Sequence, residues 1–406
     1  MSLSPLSERD FATNARWLAG RTLGVLLTPV MLAGALTVIA TSPAAASTCV
    51  SSAGTQPANP SSTVNVLTGV SVLSQCDSWA VGYYLNGTSY QTLIEHWNDS
   101  NWTQVPSPNP SSSDNQLNSI AATSATNAWA AGYYYNGQAE QTLIEHWDGT
   151  SWTQVASPSP AGTVENNYLY GVTATSAGNA WAIGAYLNTF NGSTWDTLIE
   201  HWNGKNWQQV ASPNPSSSQN WLNGVADTSG SNAWAVGYYV SGGADQTLTE
   251  HWNGKAWQQV PSPNPGGSTN LNSLSSVTAT SAGNAWTVGS YYNGQADQTL
   301  IEQWNGSSWT QVPSPDPAGS SSSFLRGVTA TSASNAWTVG NYSIGSEDQT
   351  LIEQWNGTSW TQVPSPDPGL LTDVLSAVSA TATTDMWAVG DFSNGAGTAT
   401  ETLGVQ

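Results

Sequence analysis

The chain has 406 residues, 38% hydrophobic and only 8% charged, and 22 of them are tryptophan. Its 26 acids face six Lys plus Arg, for a formal net charge of −20. Phosphate backbones and anionic lipid surfaces are held by Lys/Arg patches, so nucleic acid and charged membranes are excluded as partners.

At the N-terminus, Arg9, Arg16 and Arg21 precede an apolar run from Thr22 to Ala40. The small-residue stretch Ser42-Pro43-Ala44-Ala45-Ala46-Ser47 follows. This is the three-part order of a secretory signal peptide. Cleavage after Ala46 is expected, leaving 1–46 as signal and 47–406 as one exported domain. The apolar run is also long enough to cross a bilayer, so retention by an uncleaved anchor is the alternative. After cleavage the cations are Lys205, Lys255 and Arg326, and no membrane contact is expected. Cys49 and Cys76 come next, and an even count in an exported chain predicts one disulfide.

A repeat then fills the rest of the chain. The phrase Asn-Ala-Trp-Ala-Val-Gly and its variants place Trp79, Trp129, Trp181, Trp234, Trp286, Trp337 and Trp387 at intervals of 50 to 53 residues. A leucine lies 12 residues before each, from Leu67 to Leu375, and a glycine three after, from Gly82 to Gly390. The second half of the unit reads Thr-Leu-Ile-Glu-His-Trp-Asn-Gly-x-x-Trp. Its glutamates are Glu95, Glu145, Glu200, Glu250, Glu302, Glu353 and, as a seventh, Glu401. Each unit contains four short β-branched or aromatic runs bounded by Gly, Asn, Ser or Pro, as in 171–175, 180–184, 92–97 and 102–105. Asn203-Gly204 and its equivalents suit a tight hairpin, because both residues tolerate positive φ. Four strands per roughly 50 residues predict an all-β fold: a seven-bladed β-propeller with four antiparallel strands per blade. The last copy lacks its outer strand. Residues 48–56 are expected to supply it, so that the N-terminal strand completes the last blade, with a Cys49–Cys76 disulfide at the seam.

Specific phrases resemble known families. Gly149-Thr150-Ser151-Trp152 resembles the turn of Asp-box (BNR) propellers, although Trp147 stands where that motif carries its Asp. The Trp-Ala-Val-Gly phrase resembles the photosystem-assembly type of Asp-box propeller, and the paired tryptophans loosely resemble kelch repeats. The resemblance covers 48–406 and implies the propeller fold. It leaves function open, because such propellers include enzymes, lectins and assembly factors.

The regular polar residues read as structural. One glutamate per blade stands too far from the next to share a metal, and so do His96, His146, His201 and His251, which become Gln303 and Gln354 in later copies. No metal and no cofactor are expected. The glutamates should accept hydrogen bonds from indole, hydroxyl or backbone groups. Two tryptophans fall outside the repeat. Trp195 lies between strands two and three of the third unit, and Trp221 lies at the entry to the fourth. Tyr168, Tyr170, Phe190 and Asp196 come from neighbouring connections on the same face. Aromatic faces for C–H stacking and side-chain amides for hydroxyls are what a sugar ring needs. These six residues are the expected ligand-binding set.

Sialidase chemistry is excluded, since it needs several arginines and the exported chain has only Arg326. No histidine lies outside the repeat to serve a Ser-His-Asp triad. The sequence therefore predicts a secreted, monomeric, non-enzymatic binding protein, lectin-like, with an extracellular glycan or protein as ligand. The alternatives are a protein-interaction scaffold and, less favoured, a glycoside hydrolase using non-repeat acids such as Asp227.

Overall fold

A computed structural model of the chain describes residues 56–382, 385–393 and 400–405. The chain divides into two units, Met1–Ser47 and Thr48–Gln406. The first unit, and with it the expected signal peptide, lies outside the described residues. So does Cys49, and with it the expected disulfide.

The described residues are strands joined by short turns. The first blade runs through Asn65–Ser74, Asp77–Asn86, Ser89–Trp97 and Trp102–Gln104, each antiparallel to the one before. Five further blades repeat this order within 115–155, 167–209, 220–259, 272–311 and 322–363. Turn chemistry ends each third strand. Gly149, Gly204, Gly254, Gly306 and Gly357 all take positive φ, and in blade one Asp99 does so at +82°. The Asp or Asn before each of those glycines caps the turn; Asp148 Oδ1, for example, accepts the Thr150 and Ser151 amides at 2.8 and 3.0 Å.

The expected seven blades of four strands are corrected to six. The sheet after blade six has three strands, Asp373–Ala382, Asp385–Ser393 and Thr400–Val405. Among the described residues no fourth strand pairs with its outer edge. The edge is met instead by one side chain. The Gly404 amide donates to Gln56 Oε1 at 3.0 Å, and Gln56 Nε2 donates to the Gly404 carbonyl at 3.4 Å. A side-chain amide mimics a peptide unit, so a single Gln can satisfy one residue of an edge. The pairing register also corrects the glutamate series. Gly390 stands opposite Leu403, as Gly82 stands opposite Leu93. Val405 therefore holds the place of Glu95, and Glu401 holds that of Gln91, so the series has six members.

The sheets pack face to face. Trp79 of blade one meets Trp147 and Trp152 of blade two at 5.0 and 5.4 Å, within a cluster that includes Ile94, Leu117, Ile120 and Leu143. The third-strand hairpin sets Trp147 opposite Trp152, so the pair clasps one tryptophan of the preceding sheet. The same clasp joins the last sheet to the first: Trp387 meets Trp97 and Trp102 at 5.1 and 5.0 Å. The Val72 amide adds a bond to Ser379 Oγ at 3.1 Å. Each such tryptophan buries about 150–250 Å², worth about 4–6 kcal/mol of transfer free energy as an upper figure.

The invariant glycine has a steric cause. A Cβ on Gly82 would lie 1.9 Å from the Val66 carbonyl oxygen, and one on Gly237 would lie 2.0 Å from that of Trp221. The innermost strand presses this close because it carries a bulge at one fixed point, between Leu67 and Gly69 in blade one and between Leu222 and Gly224 in blade four. A bulge re-aims the extra residue. Here it turns one side chain per sheet toward the centre.

Candidate functional site

The bulged residues line a central cavity of about 160 Å³, among them Thr68, Asn118, Tyr170, Asn223, Ser275 and Arg326. Three of them also tie sheet to sheet. Thr68 Oγ1 donates to the Leu117 carbonyl at 2.7 Å, Asn118 Nδ2 to Leu169 at 2.7 Å and Asn223 Nδ2 to Leu274 at 2.9 Å. Arg326 is enclosed by neighbouring sheets yet reached by solvent through the cavity, and its Nε donates to Asn341 Oδ1 at 2.9 Å. Beside it, burial raises the Asp391 carboxyl to about 6 despite the opposing pull of Arg326. The sequence signal for this collar was a polar residue directly after each repeat leucine.

Four of the six expected ligand residues come together at one mouth of this cavity. Trp195 and Trp221 stand 4.7 Å apart. Tyr168 lies 5.8 Å from Trp195 and 6.3 Å from Trp221, and Tyr170 lies 5.9 Å from Trp221. Local pairing holds the two tryptophans together. The segment entering blade four runs parallel to the third strand of blade three at Gln219 and Trp195. The Trp195 amide donates to the Ser218 carbonyl at 2.9 Å, and Asn220 Nδ2 donates to the Trp195 carbonyl at 3.0 Å. Two further rings extend the group. Tyr133 meets Tyr168 edge-on at 4.9 Å, and Tyr238 lies nearly parallel to Trp221 at 6.4 Å. Both belong to tyrosine pairs that recur in the second strand, Tyr133-Tyr134 and Tyr238-Tyr239, and nothing in the repeat singles them out.

The other two expected residues stand apart. Phe190 sits on a single helical turn, Thr189–Asn191, and is 95% exposed, with no ring against it among the described residues. Asp196 follows Trp195 on a strand, so its side chain emerges on the opposite face. It is 7% exposed and accepts from Asn188 Nδ2 at 2.7 Å and Thr194 Oγ1 at 3.1 Å.

Burial sets the electrostatics of the mouth. It raises the Tyr133, Tyr168 and Tyr170 phenols, with nearby Glu140 contributing to each. Glu140 is itself raised to about 7, first by burial and then by Asp114. The mouth therefore presents rings, phenol hydroxyls and a carboxyl whose charged form burial disfavours.

The regular acids and histidines are built into the fold. All six repeat glutamates are 0% exposed. Glu95 Oε2 accepts the Ala58 amide at 3.0 Å; both carboxyl oxygens of Glu145, Glu200, Glu250, Glu302 and Glu353 lack a partner among the described residues. One repeat after Ala58 stands Pro108, which has no N–H to give. The expected hydrogen bonds are thus found only for Glu95. Burial raises Glu95 to about 8, Glu353 to about 9, and the other four well above 4.5.

Each histidine bridges to the start of the second strand: His146 Nε2 lies 2.9 Å from Asn127 Oδ1 and 4.2 Å, ring to ring, from Trp129. Gln303 Nε2 donates to Asn284 Oδ1 at 3.2 Å, which explains why Gln replaces His. Asp227, the acid singled out for hydrolysis, accepts from Thr173 Oγ1 at 2.7 Å and Asn179 Nδ2 at 3.1 Å of blade three. Those bonds commit it to holding two blades together. Among the described residues no group of three His, Cys, Asp or Glu could hold a metal ion.

No family profile matches the sequence, and no curated protein matches it. Solved β-propellers are similar in fold. YCF48 bound to a D1 peptide is 16% identical with a TM-score of 0.49, over 83% of this chain and 96% of that one. A PL25 ulvan lyase bound to its saccharide is 13% identical with a TM-score of 0.49, over 87% and 93%. The GH74 xyloglucanase of Xanthomonas campestris is 9% identical with a TM-score of 0.44, over 84% and 59%. This chain is a β-propeller of repeated, tryptophan-rich blades; its Asp-box or kelch-type character rests on the sequence phrases alone.

Proposed function

We propose that this propeller is a secreted, non-catalytic protein that binds glycan at the cavity mouth, using Trp195 and Trp221 as stacking faces and Tyr133, Tyr168 and Tyr170 as flanking rings and hydroxyl partners. The observation that carries the reading is the contiguity of these rings, drawn from three blades onto one face, with Trp195 and Trp221 at 4.7 Å. Core packing does not account for the group. Trp195 and Trp221 lie outside the tryptophan clasp that repeats between blades, and both are only half-buried. The copies are near-identical elsewhere, and this is where their aromatic symmetry breaks. Sugar rings present axial C–H surface to an aromatic face and hydroxyls to phenols and amides. Asp196 lies behind the tryptophan face and positions the connection through Asn188 and Thr194.

A glycan array probed with the full chain and with Trp195→Ala/Trp221→Ala tests this. Wild-type binding reduced at least tenfold in the double variant is expected. An array on which wild type binds nothing, or on which the variant binds equally, sinks the reading.

A further inference from the structure

A second kind of pocket recurs away from the mouth, near the outer strands. In blades one, four and six it measures about 310, 360 and 350 Å³. The walls are equivalent in all three. In blade one they include the ring of Tyr84 at the end of the second strand, Pro106 after the fourth, the Gln104 side chain and the hydroxyls of Thr92 and Ser107. In blade four Tyr239, Pro261 and Gln259 take these places, and in blade six Tyr342, Pro364 and Gln362.

Two observations show that packing alone does not dictate these walls. The first is the glutamine. Gln104, Gln154, Gln209, Gln259, Gln311 and Gln362 are all exposed, yet the residue is the same in every four-stranded blade. The position just before it is Thr in four blades and Gln in two, and the turn residue four before it is Ser, Thr or Lys. Copies free to drift at neighbouring exposed positions have not drifted here. The second is the tyrosine. It stands in all six four-stranded blades, and in blade six its hydroxyl donates to Gln349 Oε1 at 2.6 Å, at the pocket's edge. In the three-stranded sheet, which has no outer strand among the described residues to carry that glutamine, the position is Phe392.

We propose that these pockets are a set of equivalent binding sites, in blades one, four and six, each taking a single neutral sugar ring. Tyr and Pro supply two apolar walls for C–H faces. The glutamine amide offers one donor and one acceptor edge, and the Ser and Thr hydroxyls supply the rest. The polar end is neutral in blades one and four, at Asn109 and Asn264, so the ligand is an uncharged saccharide; Asp367 stands there in blade six. Blades two and three carry Ala156 and Ala211 in place of the proline and lack that wall. Several weak sites on one rigid ring bind a polymer far more tightly than any one of them binds a monosaccharide. The inference stands independently of the cavity-mouth reading, because it uses none of the same residues.

Affinity electrophoresis of the full chain in gels cast with dextran, mannan, galactan or xylan tests it, with polygalacturonate as the anionic control. At least one neutral polymer should retard wild type, and polygalacturonate should not. Gln104→Ala/Gln259→Ala/Gln362→Ala should weaken retardation at least tenfold, with each single variant weakening it less. Trp195→Ala/Trp221→Ala run alongside should keep a retardation that the glutamine variant loses. No retardation by any neutral polymer, or a triple variant that migrates like wild type, overturns the proposal. The single variants Gln104→Ala and Gln259→Ala decide it should the triple variant fail to fold.

Discussion

Single residues in this chain are set by contacts that recur sheet after sheet. The repeat glycine is the sharpest case. The α-hydrogen that stands in place of a Cβ points at a carbonyl oxygen only about 2 Å from where that carbon would sit, and the obstacle is backbone. Gly237→Ala should therefore cost about 3 kcal/mol or more, at the severe end for one substitution, read as the loss in urea midpoint. Gly294→Ala, on an open turn at a φ of +96°, should cost only backbone strain of about 1–2 kcal/mol. Equal losses at the two sites would count against the steric account. At this scale the sequence was informative about position and silent about cause. It showed a glycine three residues after every tryptophan, but the carbonyl belongs to another strand. The His/Gln exchange was read as structural from pattern alone, and the Asn127 and Asn284 bonds supply the chemistry.

At the scale of the element, the unit of packing is the hairpin that sets two tryptophans across a turn to clasp a third from the preceding sheet. Trp152 and Trp79 meet edge-on at 5.4 Å, so Trp152→Ala should cost about 3–5 kcal/mol. Combined with Trp79→Ala it should cost less than the two single losses added, because the second change removes a contact already gone. Additive losses in denaturant melts would show that the clasp is not a unit. The strands were legible because their β-branched and aromatic runs are bounded by Asn-Gly and Pro. Their lengths were not. The inner strand of blade three was read as 171–175 and runs Asn167–Ser176, since its outer part is the polar and aromatic stretch that forms the mouth. Of the candidate site, Trp195 and Trp221 were legible as breaks in the repeat, whereas Asp196 was misplaced because neighbours in sequence point to opposite faces of a strand.

For the whole molecule the controlling fact is a ring of sheets with one fully buried glutamate in each of the six four-stranded blades. Burial raises the carboxyls of the six glutamates, and it raises Asp227 and Asp391 to about 6. A folded pKa above the unfolded one means the native state holds more protons. Stability from these groups is full below about pH 4.5 and is lost as pH rises toward 8–9. The histidines act in the other direction. Burial lowers His146, His201 and His251, so their contribution is present above the unfolded value of 6.5 and is lost as pH falls below it. The acids outnumber the histidines, so the melting temperature should be highest near about pH 4.5 and fall toward pH 9. Glu200→Gln should flatten that fall, and a melting temperature that rises from pH 6 to 9 would contradict the burial of these groups as acids. The sequence reads as a seventh blade with Glu401 in the glutamate series because Thr-Glu-Thr-Leu at 400–403 matches the repeat in composition, and the pairing of Gly390 with Leu403 corrects which residue falls where.

The sealed glutamates also have a thermal signature. Opened to solvent at neutral pH, each becomes an ordinary carboxylic acid and gives its proton to the buffer. Unfolding is then an acid release of several equivalents, and its measured heat includes the buffer's own heat of protonation. Scans at pH 7 in phosphate and in Tris should report different apparent enthalpies for the same transition, and the slope of enthalpy against buffer ionisation heat counts the protons that folding had sealed inside.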